Sequence, residues 1–324
     1  MSLLTLEGFP STSAYHIKAE GQNVVNANGI AKDILFFIPG NPGLVEYYIT
    51  YLDLIHEKYP HFEIYCLSHA GYQTTHNYQY DNEEYYDINY QIDHKYKIIK
   101  DLVDKESNIH FLGHSMGTFV MQKLIKKLID DDLKVKFIGL ICPTIVNLKD
   151  SDSGKKFQKL YRWLPIIKLG LLFSWFLGLF SESFIKYLFG SIIFDEPKVR
   201  DSKSEQSLKN SIDASFKLVT TPRIVRQALT LVVDELDMIL QDDELNDWFF
   251  GLSKEGIKIW TYFAFKDHWI HDNTRDYILS RYFDEKNSNL LFELGDIDGI
   301  THSFCVNQSV EFAEITLNTM SQLT

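Results

Sequence analysis

The chain has 324 residues, of which 45% are hydrophobic and 23% are charged, close to the average for a soluble globular protein. This length and composition exclude a disordered tail, a collagen-like fibre and a polytopic membrane protein. The 32 basic and 44 acidic residues give a net charge of −12. Binding to nucleic acid requires a basic face, so we expect no nucleic-acid partner, and any attachment to a membrane must be apolar rather than electrostatic.

The cysteine pattern and the N-terminus both favour an intracellular protein. Cys66, Cys142 and Cys305 are widely spaced and form no CxxC motif, which favours a reducing compartment. The first residues lack the basic region and apolar run of a secretory signal. No Cys/His cluster has metal-ligand spacing, so we expect no metal and no cofactor.

Strands and helices alternate along the first part of the chain. Continuous apolar runs, typical of strands buried on both faces, predict strands at 33–38, 62–67, 109–112 and 137–142. Helical patterns cover 45–58, 92–104 and 118–129, and a polar, tyrosine-rich stretch at 69–89 predicts an exposed loop. Later strands are predicted at 257–265 and 290–294. This alternation predicts an α/β fold with a mostly parallel sheet flanked by helices.

A long helical segment interrupts this alternation. We expect a core formed by 1–144 and 251–324, with residues 145–250 as a helical cap insertion over the carboxyl ends of the strands. Within the insertion, 163–194 is strongly apolar, which predicts an interfacial helix pair that meets lipid. The alternative is a helix pair packed on the core, and both can hold at once. The predicted lipid contacts are Trp163, Leu171, Leu172, Phe173, Trp175 and Phe176.

The strongest catalytic signal is Gly113-His-Ser-Met-Gly117. It fits the G-x-S-x-G pattern and lies between a predicted strand and a predicted helix, as a nucleophile on a tight turn requires. The glycines remove bulk on either side of Ser115, and the helix N-terminus favours the developing negative charge. We expect Ser115 to be the nucleophile and His114 to line the substrate site.

A serine hydroxyl needs a base, and that base needs an orienting acid. His302 follows the last predicted strand and Asp267 follows the strand at 257–265, so they complete the order Ser…Asp…His. The alternatives left open are His268 and His271 for the base, and Asp272, Asp234 and Asp237 for the acid.

The oxyanion hole needs two backbone N–H groups. The residue after the nucleophile, Met116, supplies one, and the turn Pro39-Gly-Asn-Pro-Gly43 is expected to supply the other through Asn41. Whether the Asn41 side chain also helps stays open. Gly40 would let the backbone approach the substrate closely.

Together these motifs resemble the lipid-droplet-associated serine hydrolases of the α/β-hydrolase superfamily. The resemblance rests on Phe37–Gly43 with Tyr47-Tyr48, on Leu67–Gly71, on Gln91 with His94-Lys95, and on Gly113–Gly117, Pro143–Ile145, Asp267–Trp269 and His302. It implies an α/β-hydrolase fold with the triad Ser115, Asp267 and His302.

The resemblance also implies a lipase or esterase acting on neutral lipids, such as triacylglycerol or sterol esters. The implied partners are that ester and the lipid droplet monolayer. The implied location is the cytosolic face of the droplet, with the endoplasmic reticulum membrane or the cytoplasm as alternatives. Two other functions remain open: a droplet-surface interaction protein with little turnover, and an acyltransferase that uses the same serine.

Overall fold

The computed structural model describes residues 2–74, 85–297 and 299–323. In this part of the chain, eight strands form one sheet in the order β1-β2-β4-β3-β5-β6-β7-β8. The strands are β1 (Ser2–Leu6), β2 (Phe9–Ile17), β3 (Asp33–Ile38), β4 (Glu63–Leu67), β5 (Asn108–His114), β6 (Lys134–Ile141), β7 (Lys258–Phe263) and β8 (Leu290–Leu294). All neighbours from β4 to β8 pair in parallel, while β1–β2 and β2–β4 pair antiparallel.

The mostly parallel sheet is confirmed, and every strand predicted from the sequence is present with only its ends shifted. The central strands are buried on both faces: Phe36, Phe37, Phe111 and Trp260 have no exposed surface. Burying each such side chain contributes about 2–3 kcal/mol. This core fixes the carboxyl ends of the strands, from which the site is built.

The antiparallel strands β1 and β2 were not predicted. The segment that forms β2 carries Ser11, Thr12 and Ser13, which suggest a loop, yet all of them are buried. Their polar groups find partners elsewhere in the fold: the Ser13 N–H donates to Ser68 Oγ at 2.8 Å, and Thr12 Oγ1 lies 3.1 Å from His94 Nε2. Tertiary hydrogen bonds therefore override the local pattern.

The helices predicted at 45–58, 92–104 and 118–129 are present with shifted ends, whereas the three helices after β7 were not predicted. In the described residues, six helices flank the sheet. They are α1 (Ile49–Lys58), α2 (Ile88–Leu102), α3 (Met116–Asp130), α10 (Asp272–Tyr282), α11 (Phe304–Asn307) and α12 (Ser309–Leu323). A 3₁₀ turn, Val45–Tyr48, replaces the first turn predicted for α1. Helix α2 begins earlier than predicted because the Asp87 carboxylate caps it by accepting the Tyr90 N–H. Of the loop predicted at 69–89, residues 75–84 lie outside the described residues, and the prediction that the loop is exposed is wrong for 69–73, which are buried.

Six α-helices and a π-helical turn, Phe189–Ile193, lie between β6 and β7, and we call this whole segment, residues 142–257, the insertion. The six α-helices are α4 (Asp152–Trp163), α5 (Ile166–Leu177), α6 (Glu182–Leu188), α7 (Ser202–Thr220), α8 (Pro222–Met238) and α9 (Asp243–Gly251). Helix α5 packs on α8, and α6 packs on α7. The close approach of α5 depends on Gly170, where a Cβ would lie 2.4 Å from Leu229 Cδ1.

The apolar segment predicted to meet lipid is therefore packed on one side and open on the other. Its inner face contacts the other insertion helices, and its outer face carries exposed Trp163, Phe173 and Trp175. No single helix in the described ranges is long and apolar enough to span a membrane; α4 and α5 pass such a test only as a pair bent by 91°. The division into core and cap at 145–250 stays a prediction.

Candidate active site

Ser115 lies on a sharp turn between β5 and α3. Its backbone has φ 52° and ψ −127°, a conformation that few non-glycine residues adopt. Gly117 makes this turn possible, since a Cβ there would lie 2.3 Å from the carbonyl oxygens of Ile38 and Pro39. A Cβ at Gly113 would lie 3.1 Å from the flexible end of the Met121 side chain and at an ordinary contact distance of 3.4 Å from the Gly117 carbonyl carbon. Of the two motif glycines, Gly117 is thus the stricter steric requirement.

The structure brings Ser115, His302 and Asp267 together. Ser115 Oγ lies 2.9 Å from His302 Nε2, and His302 Nδ1 lies 2.7 Å from Asp267 Oδ2. The side chains of His302 and Asp267 are only 5% and 4% exposed. Nδ1–H can therefore donate to the carboxylate while Nε2 accepts the serine hydroxyl, which is the arrangement a base-activated nucleophile needs.

The loop after β7 holds the Asp267 carboxylate in one orientation. Its second oxygen, Oδ1, accepts the N–H groups of Trp269 at 2.8 Å and Ile270 at 3.1 Å. Burial alone would raise the pKa of Asp267, but the His302 imidazole and these two N–H groups outweigh it, and the pKa lies below its usual value. The carboxylate is therefore ionised at neutral pH.

The residues left as alternatives for the base and for the orienting acid make other contacts in the structure. His271 Nδ1 accepts the Asn273 N–H at the start of α10, and Asp272 pairs with Arg275 at 2.8 Å. Asp234 accepts the Tyr85 hydroxyl, and Asp237 pairs with Lys149 at 2.9 Å. His268 lies near the site, with its ring centre 6.2 Å from that of His302. However, His302 is the histidine that is hydrogen-bonded to both Ser115 and Asp267.

The turn that follows β3 packs directly against the nucleophile. A Cβ at Gly40 would lie 3.0 Å from Ser115 Cβ, so only glycine fits without displacement. Met116 begins α3, where its N–H has no acceptor within the helix. Among the backbone hydrogen bonds of the described residues, none uses the Asn41 N–H. Neither predicted N–H group is thus used by a backbone hydrogen bond among the described residues, and the oxyanion hole stays a prediction.

His114, next to Ser115 in the chain, is hydrogen-bonded to two other segments of the site. Burial lowers its pKa to about 3, so the ring is neutral and has one donor and one acceptor nitrogen. Nε2–H donates to the His302 carbonyl at 2.8 Å, and Nδ1 accepts the Tyr48 hydroxyl at 2.8 Å. The Tyr48 oxygen in turn accepts the Gly40 N–H at 3.3 Å. His114 also borders the cavity described below, and its ring nitrogens connect the turn at Pro39–Gly43 to the backbone of His302. Its role in binding substrate stays a prediction.

His69, from the Leu67–Gly71 motif, holds the other side of the same turn. Its Nε2–H donates to the Pro39 carbonyl at 2.9 Å. Burial lowers the pKa of His69 to about 3, so the ring is neutral. The ring also packs under Gly43, where a Cβ would lie 2.6 Å from His69 Cδ2. The motif therefore serves to position the turn beside Ser115.

A cavity of about 270 Å³ opens onto Ser115. Its walls come from both the sheet side and the insertion, including Gly40, Asn41, His114, His302, Phe189, Phe194, Leu218, Val219, Val232 and Glu235. The predicted lipid-contact residues lie elsewhere: Trp163, Leu172, Phe173, Trp175 and Phe176 are 47–74% exposed on the outer face, and Leu171 is half-buried. The described structure thus separates an inner apolar cavity from an outer apolar surface.

Cys142 lies beside the three-residue cluster. Ligand atoms of Cys142, Asp267 and His302 all lie within 4.8 Å of one another. However, Asp267 and His302 are already hydrogen-bonded to each other. Burial, together with the Asp267 charge, raises the pKa of the Cys142 thiol well above its usual value, whereas a metal requires the thiolate. We assign these groups to the serine site, and the expectation of no metal stays a prediction.

Glu235 was not among the residues singled out from the sequence. It is 5% exposed, lines the cavity and accepts a hydrogen bond from Asn41 Nδ2 at 2.7 Å. A signal was present, because Ile224, Ala228, Leu231 and Glu235 share one face of α8. An acid on an otherwise apolar helix face indicates a buried polar contact.

Comparison with known proteins identifies the same family that the sequence motifs resemble. The model of the lipid-droplet-associated hydrolase family matches residues 31–305. A lipid droplet-associated hydrolase of Rattus norvegicus is 25% identical over 310 residues, covering 90% of this chain and 86% of that protein. The corresponding protein of Gallus gallus is 24% identical, with 86% and 82% covered.

Solved structures share the fold at low identity. A lipase-esterase related protein from Clostridium acetobutylicum has a TM-score of 0.55 at 14% identity, covering 94% of this chain and 98% of its own. An α/β-hydrolase fold protein from Burkholderia ambifaria has a TM-score of 0.53 at 10% identity, covering 98% and 97%. The chain therefore has the α/β-hydrolase fold and belongs to the lipid-droplet-associated hydrolase family.

Proposed function

We propose that the protein is a serine ester hydrolase that cleaves neutral lipid esters. The observation that carries the proposal is the continuous hydrogen-bonded path from Ser115 Oγ through His302 to Asp267, with distances of 2.9 and 2.7 Å. Ser115 Oγ attacks the ester carbonyl carbon as His302 Nε2 takes its proton. Asp267 stabilises the resulting imidazolium, and His302 then gives the proton to the departing alcohol.

The backbone N–H groups of Asn41 and Met116 stabilise the oxyanion formed in this step. Such preorganised donors act where the charge develops, and each contributes about 10²–10³-fold to kcat in serine hydrolases. His302 Nε2 then takes a proton from a water molecule, whose oxygen attacks the acyl-enzyme carbonyl. When the bond to Ser115 Oγ breaks, His302 gives this proton to Ser115 and the fatty acid is released.

The cavity and the outer surface support a lipid substrate. The insertion contributes Phe189, Phe194, Leu218, Val219 and Val232 to the cavity walls, which suits an acyl chain. On the outer face, exposed aromatic and aliphatic side chains of α5 and its neighbours form a surface that a droplet monolayer would cover. Because the net charge is −12, attachment through apolar side chains is favoured over attachment through charge.

The proposal is tested with purified protein and its Ser115→Ala variant on emulsified triacylglycerol, diacylglycerol and sterol ester. We expect fatty acid release by the wild type and none above background by Ser115→Ala. Equal release by both would refute the mechanism. Parallel reactions with added glycerol or sterol distinguish hydrolysis from acyl transfer: formation of a new ester in place of free acid would identify an acyltransferase.

A further inference from the structure

The Asn41 side chain joins the oxyanion turn to the insertion. Nδ2 donates to Glu235 Oε1 at 2.7 Å and to the Ala228 carbonyl at 3.0 Å. Oδ1 accepts the Tyr72 hydroxyl at 2.6 Å. Both N–H bonds and the carbonyl of the amide are thus used, which fixes its orientation. Two of these three partners lie on α8, so the conformation of Asn41 depends on where the insertion docks.

Helix α8 is itself held on the core next to this contact. Gln227 donates to the Tyr86 carbonyl at 2.8 Å, and Arg223 donates to the Gln73 carbonyl at 2.6 Å. Gly71, at φ +92°, lets α8 approach, since a Cβ there would lie 2.8 Å from Gln227 Oε1. Glu235 is therefore presented to Asn41 by a helix with fixed position.

Placing a carboxyl group in the wall of this cavity has an electrostatic cost unless the group is neutral. Burial raises the pKa of Glu235 to about 8; the Asn41 hydrogen bond opposes this, and the neighbouring Asp234 adds to it. At neutral pH, Glu235 is therefore mostly protonated. A neutral acid can accept the Asn41 N–H without adding a negative charge near the developing oxyanion.

We propose that Glu235 is a positioning residue of the oxyanion hole: through the Asn41 side chain, it fixes the backbone N–H of Asn41 beside the ester oxygen. This inference rests on the proposed ester hydrolysis. It means that the insertion, besides covering the cavity, completes the catalytic geometry. Tyr72 acts on the same amide from the sheet side.

The groups around Glu235 give the expected pH dependence. From the core, Glu235 faces Asn41, Tyr72 and Tyr85. On its own helix, Asp234 is the adjacent charge, and His302 lies in the same cavity. Above a pH of about 8, loss of the proton from Glu235 leaves a carboxylate near the oxyanion hole. The account predicts that kcat falls on this alkaline side in the wild type and that the fall is absent in Glu235→Gln.

The test is steady-state hydrolysis of a soluble p-nitrophenyl ester from pH 6 to 10. Glu235→Ala is expected to lower kcat about tenfold, the effect of one lost buried hydrogen bond, with KM changed less than twofold. Glu235→Gln keeps the acceptor and is expected to restore most of the lost kcat at pH 7. Asp237→Ala, an exposed position on the same helix, is the matched control for insertion stability.

An unchanged kcat in Glu235→Ala, or a Glu235→Gln variant as slow as Glu235→Ala, would overturn the inference. If Glu235→Ala does not fold, Tyr72→Phe removes one hydroxyl from the same amide and is expected to lower kcat several-fold, whereas an unchanged value again contradicts the inference. Fluorophosphonate labelling of the wild type separates the two proposals. Failure to label Ser115 refutes ester hydrolysis itself, whereas labelling with an unaffected Glu235→Ala refutes only the role of Glu235.

Discussion

Replacing Asp267 with Asn is expected to stop catalysis while leaving the fold intact. The Trp269 and Ile270 N–H groups both donate to Asp267 Oδ1. In the Asn variant, the atom that faces these two donors must be the amide oxygen, so the amide NH₂ faces His302 Nδ1. Nδ1 must then accept a hydrogen bond, which moves the ring proton to Nε2. A protonated Nε2 cannot take the proton of Ser115.

The magnitude follows from this tautomer change. Serine triads with the wrong histidine tautomer lose about 10⁴-fold in kcat, equivalent to about 5.5 kcal/mol of transition-state stabilisation. Thermal unfolding should change little, because the acceptor for the two N–H groups remains. Hydrolysis of the p-nitrophenyl ester measures kcat, with Asp272→Asn, an exposed acid on α10, as control.

Two outcomes of the Asp267→Asn experiment would contradict this prediction. A folded variant that keeps more than about a tenth of wild-type kcat would show that His302 does not depend on Asp267 for its tautomer. A similar loss in Asp272→Asn would show that the effect is not specific to the triad.

Three further predictions concern the residues around Ser115 and the outer face of the insertion. Tyr48→Phe leaves a buried His114 nitrogen without its hydrogen-bond donor, so the free energy of unfolding in urea should fall by about 1–3 kcal/mol. The control Tyr187→Phe, at an exposed position, should lower it by no more than about 0.5 kcal/mol. Equal values for the two variants would contradict the Tyr48–His114 hydrogen bond. Gly117→Ala should yield little folded protein, because its Cβ would lie 2.3 Å from two carbonyl oxygens; a wild-type melting temperature would refute this. Phe173→Asp should reduce binding to phospholipid-coated triolein droplets without lowering the melting temperature. Phe283→Asp, similarly exposed outside the insertion, should bind normally, and equal binding by both would reject the outer face as the lipid contact.

The sequence was most informative where function depends on short motifs and chain order. The central strands are continuous apolar runs, so their positions follow from local composition. Ser115, Asp267 and His302 each lie in the segment that follows a predicted strand, and parallel strands bring such segments to one edge of the sheet. Their proximity could therefore be anticipated, although hydrogen-bond distances could not.

Other features depend on contacts between distant parts of the chain. The Asn41–Glu235 hydrogen bond joins residues 194 positions apart, and no local pattern specifies it. The polar segment of β2 becomes a strand because Ser68 accepts the buried Ser13 backbone N–H and His94 is the partner of the buried Thr12 hydroxyl. Similarly, Gly170 suggests a weak point in a helix, yet it provides the close contact of α5 with α8. In each case, tertiary packing decides between local alternatives.

The most direct test of the proposed nucleophile is covalent modification. Purified protein is treated with a fluorophosphonate, digested and analysed by peptide mass spectrometry. The account predicts a single modified peptide containing Ser115, no modification in Ser115→Ala, and strongly slowed modification when His302 is replaced by Ala. Labelling of a different serine, or no labelling of the folded wild-type protein, would contradict the central claim.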